Sequence, residues 1–325
     1  MGKTGGKIFL TAMAAVLLTG GCQSRNGSLN GSAKIYYTAI ESGDYYEGWA
    51  GQLKEQAESN GNSFEAGYAE NSVETQVAQI KNALKEGSDV FLCGLVSPDI
   101  AAEAKAAAGD VPVVFINNAP PDSQLEKDRY IYVASDEFMA GQYQAEYILE
   151  KFSSKDEINV VILKGPKGAS GTTGRTNGLK RTLKASGKKI NYVFEDNAGW
   201  NEETAKELTS MFLKTGKKAD CVAANNDDMA VGAVTAFEEA GVDTSSILFL
   251  GVDASAKGCE AISAGRMDFT VYQPTSAQIE AAIKAAGNLA SGKGIDDIEC
   301  ATEDGKYILL PFEKVDASNI ADYQQ

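Results

Sequence analysis

The chain of 325 residues carries 45 Asp and Glu against 30 Lys and Arg, a formal net charge of −15, and contains no histidine. So acidic a surface is repelled by nucleic-acid phosphates and anionic lipid, and neither is expected to attract it. The missing imidazole removes Ser-His-Asp and Cys-His catalysis and His-ligated zinc. The five cysteines show no CxxC spacing, so no catalytic residue, metal or cofactor is expected.

The first element in chain order is not part of a fold. Lys3 and Lys7 precede an apolar run from Ile8 to Leu18, followed by Thr19-Gly20-Gly21-Cys22. A charged start, about eleven apolar residues and small residues before a cleavage point describe an export signal over 1–21, because a bilayer crossing needs roughly 20. The cysteine directly after the small residues resembles the lipobox of bacterial lipoproteins, with Thr19 where Leu is usual. That resemblance implies lipidation of Cys22 and anchoring to the cell membrane outside the cytoplasm. From 22 to 33 the chain is rich in Ser, Asn and Gly and reads as a flexible tether.

Beyond the tether, short apolar runs alternate with amphipathic stretches. Strands are expected at Lys34–Ile40, Ser63–Tyr68, Asp89–Leu95, Pro112–Ile116 and Tyr130–Ala134, with helices near Tyr45–Ser59, Val73–Glu86, Pro98–Ala107 and Asp136–Phe152. A second series has strands at Ile158–Lys164, Ile190–Phe194, Cys221–Ala224, Leu248–Val252 and Phe269–Tyr272. Its helices fall near Thr173–Ala185, Glu202–Lys214, Asp227–Ala240, Ala256–Ala264 and Ser276–Ala290. Several strands are apolar throughout rather than alternating, which is how strands covered on both faces look. The pattern predicts an α/β protein with two lobes of like topology and parallel, doubly wound sheets. Gly87, Gly109, Gly187 and Gly241 stand where helices should end. Cys93 and Cys221 lie inside apolar runs and read as small core residues, while nothing marks Cys259 and Cys300 as a pair.

In open parallel sheets ligands bind outside the carboxyl ends of the strands. The residues there are Gly43-Asp44-Tyr45-Tyr46, Asn117-Asn118, a Gly-rich loop from Gly165 to Arg175, Gly199-Trp200-Asn201, Asn225-Asn226-Asp227, Gly251-Val252-Asp253 and Gln273-Pro274. The set holds planar aromatics, amides, a carboxylate and a guanidinium, without a nucleophile–base pair. Sugars call for that mixture: their C–H faces pack on rings, and their hydroxyls both donate and accept. The Gly-rich loop lacks the GxxxxGK[ST] spacing of a phosphate cradle.

With VPVVFINN, ILKGPKG…GRTNGLK, AANNDDMAVGAV, FLGVDA and NLASGKG in view, the chain resembles the type I periplasmic sugar-binding proteins, the glucose/galactose- and ribose-binding group that serves ABC transporters. The resemblance implies two Rossmann-like lobes joined by a three-strand hinge, with residues 34–136 and 274–310 in one and 137–273 and 311–325 in the other. It implies ring stacking by Tyr45 and Trp200, and hydroxyl binding by Asn117, Arg175, Asn226, Asp253 and Gln273. It further implies a monomer that delivers a sugar or polyol to a membrane permease without catalysis; the calcium loop of some relatives has no counterpart around Lys151–Glu157, so no metal is expected. Two departures set the chain apart from glucose and galactose binders. Ala169 and Gly171 stand where those have His and Asp, and Gly43 aligns where an acid or amide is usual. A non-sugar ligand such as a nucleoside or a quorum signal is the alternative reading within the same fold. A glycosidase would need paired carboxylates, and the expected cleft offers only Asp253. A repressor's sensor domain would need a DNA-binding helix pair where the export signal stands.

Overall fold

Strands that are apolar without interruption need cover on both faces, and the fold supplies it. The computed structural model describes Gly2 and residues 32–323. The expected export signal, Cys22 and nearly all of the tether lie outside the described residues. In chain order come β1 (Lys34–Ala39), α1 (Asp44–Ser59), β2 (Ser63–Tyr68), α2 (Val73–Lys85), β3 (Val90–Gly94), α3 (Ala101–Ala108), β4 (Val113–Ile116) and β5 (Tyr130–Ser135). There follow α4 (Glu137–Lys151), β6 (Glu157–Lys164), α5 (Ser170–Ala185), β7 (Lys189–Asn197), α6 (Glu202–Lys214), β8 (Cys221–Ala224), α7 (Asp227–Glu239) and β9 (Leu248–Leu250). The chain closes with α8 (Ala256–Ser263), β10 (Phe269–Tyr272), α9 (Thr275–Ala290), β11 (Tyr307–Leu310) and β12 (Glu313–Asp316).

One sheet has the order β11-β5-β4-β3-β1-β2 and the other β12-β10-β9-β8-β6-β7, so the two lobes correspond strand for strand. Successive side chains on a strand point to opposite faces. In the first sheet Ile35, Tyr37, Val90 and Leu92 enter the core under α1 and α9, while Phe91 and Cys93 face the core under α2 and α3. In the second, Val161 and Leu163 pack with Phe212 and Phe237, and Val160 and Ile162 pack with Ile148 and Leu183. Cys93 and Cys221 are buried, and none of the four cysteines among the described residues is in a disulfide. Gly87, Gly109, Gly187 and Gly241 all have φ between 62° and 88°, the left-handed region that ends helices.

The chain passes between the sheets three times: from β5 into α4 at Ser135–Glu137, from β10 into α9 at Tyr272–Thr275, and from β11 into β12 at Leu310–Glu313. The sheets are not wholly parallel. β12 pairs antiparallel with β10, because β10 runs into a crossing and β12 runs out of one. Neither β11 nor β12 was expected as a strand. Both are four-residue edge strands, β11 too short and uniformly apolar and β12 too short and polar to show a period. Among the described residues no helix is long and apolar enough to cross a membrane.

Candidate functional site

The polar chemistry gathers where the second lobe's strand ends meet the crossings. Here α4 and α5 touch backbone to backbone. A Cβ on Gly141 would lie 1.8 Å from the Arg175 carbonyl oxygen, and one on Gly178 would lie 2.0 Å from that of Phe138. Only glycine allows so close an approach. It brings Glu137, the first residue of α4, against Arg175 in the second turn of α5.

Arg175 is 5% exposed and forms the hub of the site. Its Nε donates to Glu137 Oε2 at 2.6 Å and its Nη2 to Oε1 at 3.4 Å. Nη1 donates to the Asn225 carbonyl oxygen at 2.6 Å and to Asp253 Oδ1 at 3.2 Å, and Nη2 also donates to Gln273 Oε1 at 3.1 Å. Burial works against the charge, but Glu137 and Asp253 outweigh it and hold the guanidinium's pKa above its ordinary value. These carboxylates also offset the unfavourable placement of a cation near a helix N-terminus. The Trp200 ring centroid lies 5.6 Å from the guanidinium carbon. Trp200 adopts φ 65°, and its ring fits because a Cβ on Gly165 would sit 2.3 Å from it and 2.4 Å from Thr172 Oγ1.

Asp253 has a φ of 113° and bridges to Tyr272 at the end of β10. Its side chain is 36% exposed. Burial pushes its carboxyl up to about 6; Arg175 pulls the other way, and the like charges of Glu137 and Asp228 push in the same direction as burial. Behind it Asp227 is sealed, accepting from the Ser255 backbone N at 2.7 Å, Ser255 Oγ at 3.1 Å and Thr270 Oγ1 at 2.6 Å. Burial, then Asp253, raise its pKa well above the carboxylate range. Gln273 leads back to the crossings: its Nε2 donates to Gln278 Oε1 at 3.4 Å, and Gln278 Nε2 donates to Ser135 Oγ at 2.9 Å.

The first lobe supplies the facing wall. Tyr45 packs edge-on against Tyr46 with centroids 5.1 Å apart and is 52% exposed. Even so, its hydroxyl's pKa is raised by surrounding protein, then by Asp253 and Tyr46, with Arg175 opposing. Tyr45 is the second residue of α1, just past the carboxyl end of β1, where ligands sit in sheets of this kind. Asn117 sits at φ 64°. Its carbonyl accepts from Tyr132 Oη at 2.8 Å, while its Nδ2 is buried without a hydrogen-bond partner. Next to it the lobes touch directly: Ala119 N donates to Ser170 Oγ at 3.0 Å, Ser170 N to Asn118 Oδ1 at 3.2 Å, and Ser170 Oγ to the Asn117 carbonyl at 3.3 Å.

Of the residues named from sequence, Arg175, Asp253, Gln273 and Trp200 thus form one cluster with Tyr45 across from it. Asn117 stands at the interlobe contact. Asn226 is turned to another task, its Oδ1 capping α7 by accepting from Met229 N at 3.0 Å and its Nδ2 reaching the Trp200 carbonyl at 3.4 Å. Its neighbour Asn225 is the one with an unpaired buried Nδ2, as Thr172 has an unpaired Oγ1. Sequence reading missed Glu137, whose position at a helix start is the ordinary place for an acid. It also missed Ser170 and Thr172; their place in the Gly-rich loop and the helix it opens was the only signal.

Two lobes of one topology, three crossings between them, and a polar cleft walled by aromatic rings define a hinged solute receptor. The chain belongs to the periplasmic binding protein domain family, whose model matches residues 35–294. It is similar to a putative rhizopine-binding protein of Rhizobium meliloti, 29% identical over 257 residues that cover 78% of this chain and 80% of the relative. The D-galactose/methyl-galactoside binding periplasmic protein of Haemophilus influenzae is 29% identical over 274 residues, again 78% of this chain and 80% of the relative. Among solved structures, an ABC transporter solute-binding protein of Bacillus halodurans with bound myo-inositol superposes with a TM-score of 0.78 at 25% identity, covering 90% of this chain and 98% of that one. The fold is shared by a Caulobacter myo-inositol binding protein, with a TM-score of 0.78 at 22% identity over 91% and 96% of the two chains. Family members are extracytoplasmic binding proteins of transporters.

Proposed function

We propose that this protein captures a monosaccharide or cyclic polyol between its lobes and hands it to an ABC transporter permease. The observation that carries this reading is the Arg175–Asp253–Gln273 cluster facing Tyr45 across the cleft, with Trp200 beside the guanidinium. Planar groups of this kind grip adjacent hydroxyls two at a time while a ring covers the C–H face. The amide donors of Asn117 and Asn225 add capacity that no group among the described residues uses, and Asn226 keeps a second N–H on its amide. The similarity to rhizopine- and galactose-binding relatives and to the Bacillus halodurans receptor with bound myo-inositol supports a small polyhydroxyl ligand.

In this reading residues 34–136 with 274–310 and 137–273 with 311–325 close on each other as two rigid bodies. The protein acts as a monomer without chemical turnover, and a lipid on Cys22 holds it at the membrane. A thermal-shift panel of pentoses, hexoses and cyclitols tests it. A true ligand at about 100 times its Kd adds roughly 2.7 kcal/mol, a rise in Tm of about 5 °C or more. A panel without any shift overturns the sugar reading, and a shift with nucleosides alone replaces it. Mass spectrometry of the membrane-extracted protein tests for a diacylglyceryl group on Cys22.

A further inference from the structure

Two carboxylates compete for one guanidinium in the cleft, and they do not share it equally. Glu137 takes it at two points, with the shorter bond at 2.6 Å, from a side chain that is 15% exposed. Asp253 receives a single bond at 3.2 Å on one oxygen. The arrangement is rigid on the Glu137 side, because the glycine contact between α4 and α5 fixes the two backbones. Gln273, at the second crossing, bonds the same guanidinium, so Arg175 is held by residues at two of the passages between lobes.

We propose that Glu137 is a positioning residue: it aims Arg175 into the cleft and keeps Asp253 only partly neutralised, so that the Asp253 carboxylate retains acceptor positions for a ligand. This rests on the reading that Arg175 and Asp253 meet the ligand. The groups facing Asp253 are Arg175 from α5, Glu137 from α4, Asp227 and Asp228 from α7, and Tyr45 from α1. Among them Glu137 is the carboxylate that both repels Asp253 and draws its only cation away. Removing the Glu137 charge therefore lowers the proton affinity of Asp253 twice over, by ending a repulsion and by freeing Arg175 to pair more fully.

The test uses the ligand-free protein, so its outcome is independent of any sugar panel. Aspartate carboxyls are labelled with 13C, Asp253 is assigned with Asp253→Asn, and its titration is followed in the unmutated protein and in Glu137→Gln. We expect a midpoint above the ordinary carboxylate range in the unmutated protein and a fall on the order of half a pH unit or more in the variant. An unmoved midpoint in a folded Glu137→Gln overturns the proposal. Should that variant not fold, the Nε–H signal of Arg175 in the unmutated protein decides. Slow exchange with solvent across pH 5–8 supports the Glu137 grip, and exchange as fast as that of Arg129 and Arg181 overturns it.

Discussion

The two walls of the cleft are built on different terms. On the second-lobe side Arg175, Glu137, Asp253 and Gln273 are locked in one hydrogen-bonded cluster with Trp200 against it. On the first-lobe side Tyr45 is half exposed and leans only on its aromatic neighbours, and Asn117 has an amide with nothing to donate to. One wall is preorganised and the other adaptable. In the proposed reading, binding that starts on the preorganised wall incurs little ordering cost there, and the adaptable wall then closes over what is bound.

Substitutions can break this contrast or sharpen it. The largest effect is expected from Gly178→Leu, whose side chain would meet the Phe138 carbonyl and part α4 from α5. A loss of about 3 kcal/mol or more in chemical denaturation follows from forcing such an overlap, and ligand capture should fall with it. Arg175→Ala comes next. It leaves the largely covered Glu137 without its cation, so a loss of about 3 kcal/mol of stability is expected, together with at least a hundredfold weaker binding by calorimetry. Tyr45→Ala should separate the two walls. A half-exposed ring contributes little to folding, so Tm should hardly move while affinity drops about tenfold, the worth of roughly 1.4 kcal/mol. Equal losses of stability and affinity would show that Tyr45 belongs to the rigid side after all. Ser170→Ala removes a hydroxyl that links the lobes at 3.0 and 3.3 Å; about 1 kcal/mol of closed-state preference should be lost, read as a larger radius of gyration in solution scattering.

The smallest effect is one of pH. The chain has no histidine, so the interval from pH 5 to 8 is left to carboxyls displaced upward into it by burial, namely Asp227 and Asp253. A carboxyl whose folded pKa exceeds its unfolded value binds more protons when folded. The stability it brings is complete below the unfolded pKa and is lost as pH rises through the folded one. The ligand-free protein should therefore melt about 2 °C or more higher at pH 5.5 than at pH 8. A Tm that rises instead would mean that these carboxyls are ionised in the fold and stabilised as such.

Much of the fold was legible because buried strands and amphipathic helices leave their period in the sequence. All ten strands named from that period exist, and β7 runs on to Asn197. β11 and β12 left no period, since each is a short edge strand made by pairing with a neighbour rather than by its own pattern. Arg175 was legible as the cation closing a Gly-rich loop past a strand end, and Asp253 and Gln273 as polar residues just past strand ends. Glu137 was not, because an acid at the start of a helix already has a sufficient local reason to be there. Asn226 carries the same ambiguity: its Oδ1 caps α7, while its amide still has an N–H to offer.

The three passages of the chain between the sheets carry a last consequence. A single tether would let the halves swivel and shear as well as fold, but strands fixed at three places along one edge suppress all of these save rotation about the line through them. Opening and shutting then become a movement with essentially one coordinate. Whatever sits in the middle needs only to favour one end of that arc for a membrane partner to read the result as a binary signal.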